Sequence, residues 1–146
     1  MGDAEPASAI GAALRGAEQL GLIYVVNHGI ANGLIDEFHD RVDRIMHLPL
    51  TEKAELASPT GHPYRGWRQW RDDAGLVTRE RFGVAQFDNP QDALSAGLPA
   101  EYASHYAHIN VWPRHDSGLA KVAKEFHDAS VRLALRVLEL YRRALG

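Results

Sequence analysis

Gly21-Leu-Ile-Tyr-Val-Val-Asn-His-Gly-Ile30 lies between two helix-like patterns, and its reading decides the fold class. Leu22 to Val26 is a compact apolar run rich in β-branched residues and is stopped by Asn27-His-Gly29. That order predicts a buried strand and a tight turn whose φ > 0 position is Gly29, with Asn27 and His28 hydrogen-bonding to backbone around it. Before the run, Ile10, Ala13, Leu14, Ala17 and Leu20 recur at helical spacing, with Ser8 as N-cap and Gly21 as C′ residue. After it, Leu34, Ile35, Phe38, Val42, Ile45 and Met46 make a second helical stripe. Asn32 caps that stripe, Asp36 and Glu37 favour its first turn, and Pro49 ends it. Thr51 to Leu56 adds a short helical turn.

From Ala57 to Thr78 the pattern changes to loop. Pro59, Gly61, Pro63, Gly66 and Gly75 punctuate it, while Tyr64, Trp67 and Trp70 sit among charges; aromatic-rich loops are commonly packed down or functional. Arg81 to Phe87 alternates as a strand closed by Asp88-Asn-Pro90. Ala100 to His108 reads as a short helix, and Asn110-Val-Trp-Pro113 as extended chain. Leu119, Val122, Phe126, Ala129, Leu133, Val137, Leu140 and Tyr141 lie on one face of a final helix opened by Asp116 or Ser117. At about 28 residues it runs roughly 42 Å. The whole predicts a mixed α/β (α+β) fold, helix-dominated, with three amphipathic helices and a few short strands in one domain over residues 1–146.

The bulk numbers exclude several classes. Hydrophobic content of 45% and charged content of 24% are ordinary for a soluble globular chain. A net charge of −3, with 8 His counted neutral, provides no basic field for nucleic acid or anionic lipid. Zero cysteines remove disulfides, thiolate metal sites and Cys nucleophiles. Met1-Gly-Asp-Ala-Glu-Pro6 lacks the layout of a signal peptide, and Leu22 to Val26 is far too short to span a bilayer. A cytoplasmic protein without membrane or nucleic-acid partners is the expectation.

His105 and His108, three apart on a short helix and followed by His115 and Asp116, are the best metal-ligand grouping, set against a reading as surface histidines. His39-Asp40 and His127-Asp128 are adjacent on helices, so each pair diverges and forms no ligand set. No Gly-x-Ser-x-Gly, P-loop or Gly-x-Gly-x-x-Gly is present. Tyr64 and Arg65 are the candidate binding residues. An Arg between aromatics in a Gly-bounded loop can grip a carboxylate bidentately while the rings exclude water. The competing reading is a surface Arg stacked on Trp67 or Trp70. Arg68 and Arg71 extend the positive side of that loop.

Taken together, Gly21 to Ile30, Pro63-Tyr-Arg-Gly-Trp67, Arg79-Glu-Arg-Phe82 and Asn110-Val-Trp-Pro113 resemble the N-terminal region of the isopenicillin-N-synthase-like family. Those enzymes are non-haem Fe(II), 2-oxoglutarate-dependent oxygenases. Leu48-Pro-Leu-x-x-Lys53, Glu80 to Phe82 and the long last helix extend the match from about Ile10 to Ala144. The resemblance implies a jelly roll following that helix, with a His-x-Asp…His iron triad and an Arg-x-Ser pair for 2-oxoglutarate. This chain contains no His-x-Asp, no His-x-Glu and no Arg-x-Ser. It therefore implies an N-terminal part, truncated, split or fragmentary, that carries no catalytic, cofactor-binding or metal residues of its own and is inactive alone. Fe(II) and 2-oxoglutarate belong to the intact enzyme.

By the same resemblance, Tyr64 and Arg65 lie at the substrate mouth, and the partners are a small-molecule substrate and a jelly-roll half in cis or trans. The alternative is a free-standing, non-catalytic binding or dimerisation module. With no jelly roll over the last helix, its apolar stripe is expected to be only half covered, which predicts a homodimer through that helix.

Overall fold

The computed structural model describes residues 11, 12, 15, 16, 19 and 21–145. Ser8, Ile10, Ala13, Leu14, Ala17 and Leu20, which define the first predicted stripe, lie outside them, although residues 11, 12, 15, 16 and 19 are helical. The chain divides into two compact units, Asn32–Glu125 and Met1–Ala31 with Phe126–Gly146. Among the described residues the fold is mixed α/β, with five α-helices and one two-stranded sheet.

In the larger unit, α1 (Asn32–Met46) turns Leu34, Ile35, Phe38, Val42, Ile45 and Met46 to its less exposed side, as their 3.6-residue period requires. Pro49 ends that pattern and caps α2 (Leu50–Glu55) by accepting from the Lys53 amide at 3.0 Å. β1 (Gly66–Arg71) and β2 (Val77–Gly83) form an antiparallel ribbon, with Trp67 opposite Phe82 and Gln69 opposite Glu80. Ile45, Leu56, Trp67 and Leu119 form the core cluster, and Leu48, Phe82, Val111 and Trp112 pack against it.

The strand predictions need correcting. Gly66–Arg71 is a strand and not part of a loop, and its partner runs Val77–Gly83 instead of Arg81 to Phe87. The cause is the turn between them. The Asp72 carbonyl accepts from the Gly75 amide at 2.9 Å, Gly75 sits at φ 80, and the Asp72 carboxylate accepts from the Leu76 amide at 2.8 Å. An Asp-initiated turn closed by a left-handed Gly is a hairpin signal. Strand pairing ends at Gly83, beyond which Ala85 bonds to a side chain instead.

α3 (Pro90–Ser95) was not predicted. Its N-cap Asn89 accepts from the Asp92 amide at 2.9 Å, with Pro90 at the first helical position. The predicted helix from Ala100 to His108 is shorter, comprising α4 (Ala100–Ala103) and one 3₁₀ turn (Ser104–Tyr106). α5 (Leu119–Leu145) has 27 residues, or about 40 Å. Asp116, not Ser117, opens it, because its carboxylate accepts from the Gly118 and Leu119 amides at 3.2 Å each. The same carboxylate pairs with Arg41 of α1.

In the smaller unit, the buried strand expected at Leu22 to Val26 is absent. That segment joins no sheet, and Tyr24 is 90% and Val26 80% exposed. A strand needs a neighbour for its amides and carbonyls, and the described residues of this unit place none beside it. The turn after it forms as expected. Gly29 has φ 79, Asn27 itself adopts φ 54, and the Ile30 amide donates to His28 Nδ1 at 3.1 Å. Residues 22–28 and the α5 side chains Leu133, Val137 and Leu140 line a cleft of about 580 Å³.

Candidate functional site

The loop carrying Tyr64 and Arg65 is anchored at both ends by close backbone approaches. The Trp67 amide donates to the Leu56 carbonyl at 2.8 Å, drawing the start of β1 against the end of α2. Gly66 makes this possible. It adopts φ 67, and a Cβ there would lie 2.3 Å from the Leu56 carbonyl oxygen. Across the ribbon, a Cβ on Gly83 would lie 2.8 Å from the Tyr64 carbonyl oxygen. Behind the ribbon, Lys53 Nζ meets Glu80 Oε2 at 2.9 Å with both side chains largely buried. That ion pair joins two of the sequence motifs, Leu48 to Lys53 and Glu80 to Phe82.

Arg65 is buried, only 9% exposed, and its guanidinium faces main chain. Nε donates to the His108 carbonyl at 3.2 Å, Nη2 to His105 at 3.4 Å and Nη1 to Tyr64 at 3.2 Å. Two of its five N–H donors therefore pin the chain around residues 105–108, and a third closes onto the adjacent Tyr64 carbonyl. Burial pushes its pKa below the ordinary value, nearby Tyr106 opposes that push, and neighbouring Arg81 adds to it. Tyr64 is 58% exposed, and the Arg81 guanidinium lies over its ring at 4.7 Å. The competing reading of Arg65 as a surface residue stacked on Trp67 or Trp70 does not fit its burial; the cations over Trp70 are Arg68 and Arg79, each 5.2 Å from the ring centre.

Beside Arg65, the His62 and His108 rings pack with centres 4.3 Å apart. Thr60 Oγ1 bonds His108 Nδ1 at 2.9 Å, and His62 Nδ1 accepts from the Tyr64 amide at 3.2 Å. Burial first, then His108 and Arg65, push the His62 imidazole below its ordinary value. Sequence spacing could not reveal this pair, because 46 residues separate its members.

The predicted grouping of His105, His108, His115 and Asp116 is not assembled as a ligand set. His108 joins His62 and Thr60, whereas Asp116 caps α5 and pairs with Arg41. Among the described residues, no three His, Asp or Glu side chains gather where a metal ion could be held. These residues do not fit iron.

The segment Asn110-Val-Trp-Pro113 explains itself through Asp88. Asn110 is 7% exposed; its Oδ1 accepts from the Ala85 amide at 2.7 Å, and its Nδ2 donates to the Ala85 carbonyl and to Asp88 Oδ1, both at 2.8 Å. Its carboxamide thus continues the ladder where β2 stops. Trp112 Nε1 and Lys124 Nζ also reach Asp88, at 2.8 and 2.5 Å. Burial pushes the Asp88 carboxyl up, but hydrogen bonds from Lys124, Asn110 and Trp112 outweigh it and hold the group below its usual range.

Comparison with known proteins bears directly on this arrangement. The family described as "non-haem dioxygenase in morphine synthesis N-terminal" matches residues 2–115. Homoarginine-6-hydroxylase 2-ODD-233 of Oryza sativa subsp. japonica is 21% identical over 128 residues, which is 88% of this chain and 38% of that protein. Putative inactive flavonol synthase 2 of Arabidopsis thaliana is 25% identical, over 92% of this chain and 49% of its own length. The 2-oxoglutarate-dependent dioxygenase imqE of Aspergillus flavus is 34% identical over 71% of this chain and 30% of its own length. The chain thus spans less than half the length of each of these relatives. With the family match covering the α1–β2 frame and the Asn110 clamp, the chain belongs to the N-terminal domain family of the non-haem dioxygenases.

Proposed function

We propose that residues 1–146 act as the N-terminal domain of a 2-oxoglutarate- and Fe(II)-dependent oxygenase that oxidises a small molecule. The observation that carries this reading is the family match over residues 2–115. The domain contributes scaffold and substrate-side contacts, whereas a jelly-roll half, in cis or trans, contributes the iron and 2-oxoglutarate ligands. Held in that half, iron with 2-oxoglutarate would supply O₂ activation, while this chain's residues would bind and orient the substrate and exclude water. No helix among the described residues is long and apolar enough to cross a membrane, in keeping with the proposed cytoplasmic setting.

Tyr64 and Arg65 are the proposed substrate contacts. Tyr64 presents an exposed ring, and Arg65 retains two N–H donors beyond the three directed at carbonyls. Because Arg65 also pins residues 105–108, the test needs a variant that keeps the charge. In a protein with the jelly-roll half restored, Arg65→Lys should raise the substrate KM about ten-fold or more while leaving uncoupled 2-oxoglutarate turnover within about two-fold, since a lost bidentate contact is worth on the order of 1.5–3 kcal/mol. An unchanged substrate KM would assign Arg65 to structure alone.

A further inference from the structure

The outward face of the β1–β2 ribbon collects guanidinium groups at positions where cross-strand pairing should discourage them. Register places Arg68 directly opposite Arg81 and Trp70 directly opposite Arg79. Opposed residues share a face, so Arg68, Arg79, Arg81 and Trp70 all lie on the side away from Trp67 and Phe82. Like charges directly opposite each other destabilise a ribbon. Among the described residues none of the three guanidinium groups pairs with a carboxylate. The nearby acid Glu80 points to the other face, where Lys53 holds it.

Each of the three cations instead lies against an aromatic ring, Arg68 and Arg79 on Trp70 and Arg81 on Tyr64. Stacking engages the flat face of a guanidinium and leaves its N–H edge free to bind an anion in plane. The rings therefore hold three forks in place without neutralising them. Opposed Cβ atoms in such a ribbon lie about 5 Å apart, and positions two residues along lie about 7 Å apart. That spacing suits one compact ligand carrying several negative oxygens. A long polyanion is disfavoured by the net charge of −3 over the whole chain.

We propose that Arg68, Arg79 and Arg81, held by Trp70 and Tyr64, form a binding site for a small molecule bearing carboxylate or phosphate groups. The site rests on this chain's own geometry and is independent of the oxygenase reading, so its failure would leave the family assignment untouched.

The test is titration of citrate and of pyrophosphate into the full chain at constant ionic strength, followed by backbone amide shifts and by melting temperature. Saturable, submillimolar binding of either probe, centred on β1 and β2, is expected; the tighter probe tells carboxylate from phosphate. Arg68→Gln and Arg81→Gln should each weaken binding about ten-fold or more, the scale of one lost charge-assisted contact. Arg71→Gln, near the turn, where Arg71 bonds the Gly75 carbonyl, should not. Without anion, Arg68→Gln should melt no lower than the parent, because the opposed charges are relieved. No saturation by either probe, equal weakening by Arg71→Gln, or a lower anion-free melting point for Arg68→Gln would overturn the proposal.

Discussion

Asn110 does with one side chain what a third strand would do with backbone. Its carboxamide answers both the amide and the carbonyl of Ala85, and its burial means that water cannot replace it. Asn110→Ala would orphan these two groups and take a donor from Asp88, at a cost of about 2–4 kcal/mol. Urea unfolding should show that loss as a lower midpoint with unchanged slope. A change below about 0.5 kcal/mol, the size of an ordinary surface substitution, would mean that the clamp is dispensable. His62 makes a second prediction at this scale. Its depressed pKa means that the folded state disfavours the charged ring. Between the ordinary value of about 6.5 and the lower folded value, the unfolded chain therefore binds more protons. The neutral ring's contribution is complete above that ordinary value and is lost as pH falls through the folded one. Melting temperature measured from pH 7.5 down to 5 should decline, and His62→Gln should flatten the decline. Parallel profiles for the two proteins would remove His62 from the account.

At the scale of elements, α5 carries two apolar lines. The one read from sequence, from Leu119 to Tyr141, is buried or half-buried throughout. A second line, Val131, Leu135 and Leu138, steps by four and three residues along the helix, with Leu135 61% and Leu138 63% exposed. If the chain pairs with a second copy through α5, this line is the seam, because burying each Leu contributes about 1.5–3 kcal/mol. Sedimentation at micromolar concentration should then show a dimer that Leu135→Lys with Leu138→Lys returns to 16.2 kDa. A parent chain already monomeric at that concentration would contradict it.

Helices were legible in the sequence because their signal is local: the α1 stripe, Pro49 and the Asp116 cap all act within one turn or two. Strands were less legible because pairing decides them. Leu22 to Val26 has strand composition but no strand partner among the described residues. Gly66 to Arg71 looks like a charged loop until Asp72 to Gly75 folds it against β2. The aromatic setting of Arg65 is visible in the sequence, but two of its three carbonyl partners lie 40 or more residues away. The same distance hid His62 with His108.

At the scale of the whole molecule, the proposed function gives this chain the frame and the substrate side of an oxygenase and leaves the metal side to another part. The assignment joins the family match over residues 2–115 to a chain with no His-x-Asp, His-x-Glu or Arg-x-Ser in it. A His₂-carboxylate set is what non-haem iron of this kind requires. The most direct measurement is anaerobic calorimetric titration of Fe(II), with and without 2-oxoglutarate, into the isolated chain. The account predicts no saturable heat at micromolar concentrations of either. Micromolar binding of Fe(II) or of 2-oxoglutarate would contradict it.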